Sequence, residues 1–294
     1  MMDELADYNK ARWNELAQSG VKYSRPWLDL DERKARERID PYGVLKEVAG
    51  KDVLCLASGG GQQSAAFGVL GARVTVFDLS NAQLEGDRLA AAHYGVQIRA
   101  IQGDIRDLSP LEEDAFDIVY EEYSLEFVPD VQPVLEEVAR VIRPGGLYYL
   151  GFGNPFILPA VDEEAWDGES YPLKYAYIDG EETTHLDPKW GYWDVETRDG
   201  RTIKVEGPKE YRHTLSTLLN SLIGQGFVIL GIWEASSGDL TAEPGSWGNS
   251  ISVTVRKAGP ARYDVTIGFA GARFENARQV ALVDVQARCS TAAG

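Results

Sequence analysis

Two cysteines, Cys55 and Cys289, are all that this chain of 294 residues carries, and no Cys-x-x-Cys pair links them. That excludes a disulfide framework and a thiolate metal site, and it suits a reducing compartment. Histidine is nearly as scarce, with three in all. No His/Cys/Asp cluster has metal-ligand spacing, so no metal is expected. No apolar run approaches the ~20 residues of a membrane-spanning helix. The start, "MMDELADYNK", is acidic and lacks the apolar centre of a signal peptide. A soluble, cytoplasmic protein without a membrane partner is expected. Positive charge is also short: 29 basic residues stand against 46 acidic ones, for a net charge of -17. Such a surface repels phosphate backbones and anionic lipids, so nucleic acid is not an expected partner. The one dense basic stretch, "ERKARER" (32–38), interleaves acids with its bases and reads as a solvated helix face.

What the chain does have is apolar patterning, at 44% hydrophobic residues, enough for one large domain or a domain with an elaboration. From about Val53 to Phe152, strand-like and helix-like stretches alternate, the signature of a parallel α/β sheet. "DVLCLA" (52–57) is an almost wholly apolar strand, as burial on both faces requires. "QQSAAFGVLG" (62–71) reads as a helix and "RVTVFD" (73–78) as a second strand. "NAQLEGDRLAAAHYG" (81–95) is a helix that Ser80 or Asn81 can cap and Gly95 can end. "VQIRAIQGD" (96–104) and "AFDIVYEEY" (115–123) are strands three and four. "VQPVLEEVARVIRPGG" (131–146) is a helix whose Pro-Gly-Gly stop leads into strand five, "LYYLGF". Regularity returns with a helix over 208–226, a strand "FVILGIWEA" and a last strand "SISVTVRKA" (250–258).

The strongest single feature is the turn after the first strand. Gly59, Gly60 and Gly61 let backbone approach a ligand, and a following helix N-terminus offers free N–H groups. A tight turn alone calls for one or two glycines, so three in a row favour a ligand. Asp78 ends strand two, where a carboxylate can accept both hydroxyls of an adenosyl ribose, or simply cap the next helix. Asp104 ends strand three, where an acid can accept from an adenine amino group, or serve as an ordinary loop acid. Together the two aspartates outline a nucleoside pocket. A dinucleotide needs Gly-x-Gly-x-x-Gly, and "GGGQQS" (59–64) offers Ser64 for the third glycine. No second half-fold for a nicotinamide is visible, which disfavours an NAD-dependent oxidoreductase.

The pieces "VLCLASGGGQ", "VTVFDLS", "IQGDIRDL", "FDIVYEEYSLEFVPD" and "VARVIRPGGLYYLGF" occur in the order and spacing of class I S-adenosylmethionine-dependent methyltransferases, which this chain resembles over residues 45–155. Flanking pieces, "RWNELA…YSRPW" and "GPKEYRHTLSTLLNSLIGQGFVILGIWE", resemble a methyltransferase-11/25-like bacterial subgroup whose glycine turn reads "CLASGGGQQ". Two positions depart from the superfamily: Cys55 replaces the usual first-strand acid, and Ala57 the first glycine. The resemblance implies a doubly wound, mostly parallel seven-stranded sheet of order 3-2-1-4-5-7-6, strand 7 antiparallel, with N-terminal helices and a β-rich insert after strand 5. It implies S-adenosylmethionine as cofactor and S-adenosylhomocysteine as product. Backbone at Ala57, Ser58, Gly59, Gly61 and Gln62 would lie along the methionine part. Asp78 with Leu79 would hold the ribose, and Gly103, Asp104 and Ile105 the adenine. Glu121 or Tyr123 would lie beneath the sulfonium, and Tyr8, Trp13 and Tyr23 would close over the cofactor or pack on the sheet.

Four domain segments follow: a helical cap (1–45), a core (46–153 and 209–258), an insert (154–208) and a tail (259–294). The insert is far longer than an ordinary connection. It holds Trp166, Tyr171, Tyr175, Tyr177, Trp190, Tyr192 and Trp193 beside acids such as Asp162, Glu163 and Glu164. Read as a substrate lid, it suits a cationic or aromatic small-molecule methyl acceptor. The competing readings are an extra β-layer or a homodimer surface. The tail, through "YDVTIGF" and "QVALVDV", could add a strand pair or mediate association. A methyl acceptor that must lose a proton needs a base. Glu126 and His185 are the catalytic candidates, with Glu122 and His213 behind them. Glu126 reads equally as a surface helix acid, and His213 as a capping or packing residue. The expected activity is methyl transfer to an N, O or S acceptor, with an S-adenosylmethionine binder lacking turnover as the alternative.

Overall fold

The computed structural model describes residues 3–155, 176–186, 188–196, 200–234 and 250–259. Two helices precede the sheet: α1 (Glu4–Ser19), capped by Asp3 and ended by Gly20 in the left-handed region, and α2 (Glu32–Ile39), capped by Asp31. The alternating core follows as β1 (Asp52–Leu56), α3 (Gln63–Val69), β2 (Arg73–Asp78), α4 (Asn81–Tyr94), β3 (Ile98–Gln102), β4 (Phe116–Glu122), α5 (Gln132–Val141) and β5 (Ile142–Gly153). Ser80 caps α4 by accepting the Gln83 amide at 3.2 Å, and Gly95 ends it at φ 67°. Then come α6 (Thr183–Leu186), the hairpin β6 (Tyr192–Glu196) and β7 (Thr202–Glu206), α7 (Leu215–Gly224), β8 (Phe227–Glu234) and β9 (Ser250–Lys257).

The seven-stranded sheet runs β3-β2-β1-β4-β5-β9-β8, with β9 antiparallel to both neighbours. This is the expected order, with the hairpin strands counted separately. β1 is buried on both faces, which is why its sequence lacks polar alternation. Leu54 and Leu56 point to the side of α5 and α7, joining Val134, Leu135, Val138 and Leu222. Val53 and Cys55 point to the side of α2, α3 and α4, joining Ile39, Phe67 and Leu84. A smaller apolar cluster of Leu16, Val21, Val195 and Val205 joins α1 to the hairpin, with Trp13 and Trp193 against it.

Three boundaries differ from the sequence reading. The helix expected to reach Gly146 stops at Val141, and β5 begins at Ile142, its register shifting between Phe116 and Ile118. The helix expected from Pro208 begins at Leu215, where Thr214 caps it through the Thr217 amide at 3.2 Å. The reason is competition for backbone groups. Residues 210–212 pair with 180–183, through Thr183 N to Glu210 O at 2.9 Å and Arg212 N to Glu181 O at 3.0 Å. The insert, expected to be β-rich, also contains the four-residue α6. No described helix is long and apolar enough to cross a membrane. Trp166, Tyr171, Tyr175, Asp162, Glu163, Glu164, Cys289 and the expected tail strands lie outside the described residues, as does the side chain of Trp190.

Candidate active site

A cavity of about 360 Å³ opens at the C-terminal ends of β1, β2 and β4, where parallel strands release their chains into loops. Ala57, Ser58, Gly59 and Gln62 border it after β1, and Asp78 with Leu79 after β2. Asp104 and Ile105 border it after β3, Tyr123 after β4, and Trp13 and Tyr23 come from the N-terminal segment. Of the expected cofactor residues these eleven come together. Gly61, Gly103, Glu121 and Tyr8 do not border the cavity, and each has another physical role.

The glycine turn shows why. All three glycines have positive φ, at 77°, 90° and 86°. A Cβ on Gly61 would stand 2.4 Å from the Gly86 carbonyl oxygen, and one on Gly60 2.6 Å from Gln83 Oε1. Those two glycines are needed so that α4 can lie against the turn; only Gly59 borders the cavity. Gly103 is glycine because a Cβ would reach to 2.1 Å of the Phe77 ring. Tyr8 donates to Glu206 at 2.9 Å and so ties α1 to the hairpin. Glu121 points away from the cavity and accepts the Tyr148 and Ser124 hydroxyls; burial pushes it up to about 7. Its neighbour Glu122, one residue along the strand and hence on the opposite face, borders the cavity. It accepts from Gln63 Nε2 at 3.2 Å, and burial raises it.

Asp78 is buried and accepts the Ser80 amide at 2.7 Å. Burial pushes it up to about 7, against the pull of the Ser80 and Gly59 amides. Asp104 holds Arg106 through both oxygens, and that guanidinium also grips Asp3 at 2.9 Å. Cys55 lies fully buried, its thiol pushed up by burial and then by the charge of Asp87. Asp87 was missed in the sequence. It reaches from α4 to the Ser64 hydroxyl, with the Gly61 amide also favouring its charge, and burial raises it to about 6. An acid from α4 thus lies close to the strand position where the usual acid is absent. A signal was present: Gln83 and Asp87 sit four residues apart on the face that buries Leu84 and Ala90. Ala57, at the position of the missing first glycine, has φ 46°, and Tyr123 has φ 53°. Such left-handed non-glycine residues gather at functional sites.

A second cavity, of about 340 Å³, lies beside the first. Trp193 borders both, and the turn after β4 gives Ser124 and Phe127 to the first, Leu125 and Glu126 to the second. Phe152, Gly153 and Asn154 at the end of β5, Thr183, Tyr192 and the stretch Glu210–His213 complete it. Glu126 is therefore no surface acid: it accepts the Gly153 amide, and its Oε2 is buried without a partner. Glu210, hidden in sequence within an expected helix, borders the same cavity. His213 packs, its Nε2 at 3.0 and 2.9 Å from the Leu125 and Val128 carbonyls. His185 borders neither cavity; it is exposed on α6 beside Glu181, 3.4 Å away. Among the described residues no group of His, Cys, Asp and Glu could hold a metal ion.

Residues 54–150 match the family described as a methyltransferase domain. Over 249 residues the chain is 29% identical to an uncharacterized methyltransferase of Bacillus subtilis, covering 81% of this chain and 93% of that protein. It is 35% identical to the ubiquinone biosynthesis O-methyltransferase of Vibrio atlanticus, but over 41% of this chain, and it spans 54% of that relative's length. A solved S-adenosylmethionine-dependent methyltransferase from Mesorhizobium loti shares the fold, with a TM-score of 0.58, 24% identity, 78% of this chain covered and 100% of the other. The geranyl diphosphate C-methyltransferase of Streptomyces coelicolor, solved with Mg2+, geranyl diphosphate and S-adenosyl-L-homocysteine, does so too. Its TM-score is 0.55 at 13% identity, over 87% and 98% of the two chains.

Proposed function

We propose that the chain is a class I S-adenosylmethionine-dependent methyltransferase that methylates an N, O or S atom of a small molecule held in the second cavity. The observation that carries this reading is the pair of adjoining cavities with Trp193 between them. One has the polar order of an adenosyl site, and the other is an aromatic chamber with its own acids.

The residues of the first cavity fit the cofactor. Gln63 Oε1 and Gln83 Oε1 are buried there without a hydrogen-bond partner. Buried polar atoms left unpaired in a protein call for an explanation, and a polar ligand is one. In this reading Asp78 accepts the two ribose hydroxyls, and Ile105 and Leu79 flank the adenine. Asp104, already engaged by Arg106, shapes that end. The backbone of Ala57 to Gly59 lies along the methionine part, and the Glu122 carboxylate faces its ammonium group. Trp13 and Tyr23, edge-on to Trp193 and its neighbours, close the cavity against water.

Bound there, S-adenosylmethionine supplies a methyl group already activated for in-line displacement. The protein's own contribution is alignment of the acceptor and exclusion of water. A net charge of -17 favours a small molecule over nucleic acid as acceptor. Calorimetry with S-adenosylmethionine, S-adenosylhomocysteine and NAD tests the cofactor: micromolar binding of the first two and none of NAD is expected. Tight NAD binding alone overturns the reading. Methyl release over a panel of amines, phenols, thiols and carboxylates then tests turnover, and cofactor binding with a silent panel favours a binding protein instead.

A further inference from the structure

Two carboxylates share the second cavity, and among the described residues no ion pair neutralises either of them. Glu126 stands in the short turn after β4, and Glu210 in the extended stretch before α7. The Tyr211 amide donates to the Glu126 carbonyl at 2.6 Å, which holds the two segments side by side. One Glu126 oxygen takes the Gly153 amide, and the other is buried with no partner. Burial raises Glu126. Burial first, and then the charge of Glu126, push Glu210 up to about 7, against a hydrogen bond with the Trp193 side chain.

The cationic groups nearby are otherwise placed. Arg212 borders the cavity with its terminal nitrogens buried and unpaired, but no described ion pair joins it to Glu126 or Glu210, and its charge shifts neither acid. Lys209 pairs with Glu182 at 2.6 Å, and His213 is turned to backbone carbonyls. Two half-buried acids side by side, one with a buried unpaired oxygen, repel each other unless a ligand brings a countercharge. The walls around it include Phe152, Tyr192 and Trp193, whose π-systems attract cations.

Resting on the reading of this cavity as the acceptor site, we propose that the acceptor is a small amine, its ammonium group seated against Glu126 and Glu210, with Glu210 as the base. Glu126 is the less suited to accept a proton because one of its oxygens already holds the Gly153 amide. The ammonium N–H bond breaks and its proton passes to the Glu210 carboxylate. The freed nitrogen lone pair forms the N–C bond to the methyl carbon as the C–S bond breaks, with that electron pair left on sulfur. The products are an N-methylammonium ion, neutral S-adenosylhomocysteine and a protonated carboxyl group, so atoms and charge balance.

The test uses the full chain saturated with S-adenosylhomocysteine and three probes of similar shape: benzylamine, benzyl alcohol and benzoate. Calorimetry near neutral pH should show benzylammonium preferred by about tenfold or more. Glu210→Gln and Glu126→Gln should each lose about tenfold of that binding, with the S-adenosylhomocysteine Kd unchanged. A readout on the unaltered protein guards against variants that fail to fold. Between about pH 6 and 7, repeating the titration in two buffers of different ionisation enthalpy should show proton release on benzylammonium binding, because a cation favours the ionised acids. Equal binding of benzyl alcohol, preference for benzoate, absence of proton release, or no benzylammonium binding by protein that still binds S-adenosylhomocysteine overturns the amine and leaves the methyltransferase reading intact. Failure to bind S-adenosylhomocysteine overturns the methyltransferase reading itself.

Discussion

Replacing Asp78 by Asn should move stability and cofactor affinity in opposite directions. The Asp78 carboxyl is buried, accepts the Ser80 amide at 2.7 Å, and is raised by burial from 3.8 to about 7. A carboxyl whose value is raised on folding binds more protons folded than unfolded. The stability tied to it is therefore complete below about pH 4 and lost as pH rises through about 7. At about 1.36 kcal/mol per pH unit that loss has a ceiling of about 4 kcal/mol. Asn keeps an oxygen for the Ser80 amide but never ionises. The variant should unfold later than the parent in urea by about 1–3 kcal/mol near pH 8, and show no advantage near pH 3. Affinity should go the other way. A carboxylate accepting two ribose hydroxyls makes charge-assisted bonds worth about 1.5–3 kcal/mol each. An amide oxygen can replace one of them, so S-adenosylhomocysteine should bind on the order of 10²-fold more weakly near pH 8. In the parent, affinity should fall by up to about tenfold per pH unit below pH 7, because binding must then strip the proton from Asp78. A variant that gains no stability near pH 8 refutes the buried-charge account. One that binds S-adenosylhomocysteine as tightly as the parent refutes the ribose role.

Other substitutions probe the turn. Ala57→Gly relieves a residue at φ 46° and should add up to about 1 kcal/mol, a rise of a few degrees in Tm by calorimetry. Gly86→Ala would ordinarily strengthen a helix by about 1 kcal/mol. Here its Cβ would stand 2.4 Å from the Gly60 carbonyl oxygen, so a loss of about 1–3 kcal/mol and weaker S-adenosylhomocysteine binding are expected. Cys55→Asp restores the acid usual in the superfamily at a fully buried site that already feels Asp87. Urea unfolding should show a loss of about 3–5 kcal/mol, and Asp87→Asn in the same chain should recover at least half. If the double variant is no better than the single one, Asp87 does not stand in for the missing acid. Thr214→Ala removes the cap of α7 and should cost about 1 kcal/mol in the same assay.

Much of the site could be seen in the chain because strand ends announce themselves. Asp78, Asp104 and Gly59 each close a short apolar run, and a parallel sheet brings such ends to one edge. Less visible was which side of a strand a residue takes. Glu121 and Glu122 read alike in "FDIVYEEY", yet only Glu122 borders the cavity at the strand ends. The three glycines looked like one signal for a ligand, whereas two of them serve the approach of α4. That approach is a contact between segments some 25 residues apart, and no local pattern encodes it.

By itself the sequence determined the order of strands and helices, the buried character of β1, the caps at Ser80 and Gly95, and the glycine turn after β1. Those are local matters: periodicity, propensity and short-range hydrogen bonds act within a few residues of the chain. Only the tertiary structure decided that Asp87 reaches the turn beside Cys55, that Glu126 stands beside Glu210, and that Trp193 of the insert borders two cavities. Each of those depends on desolvation and on charges brought together from distant parts of the chain, quantities that exist only once the core has closed.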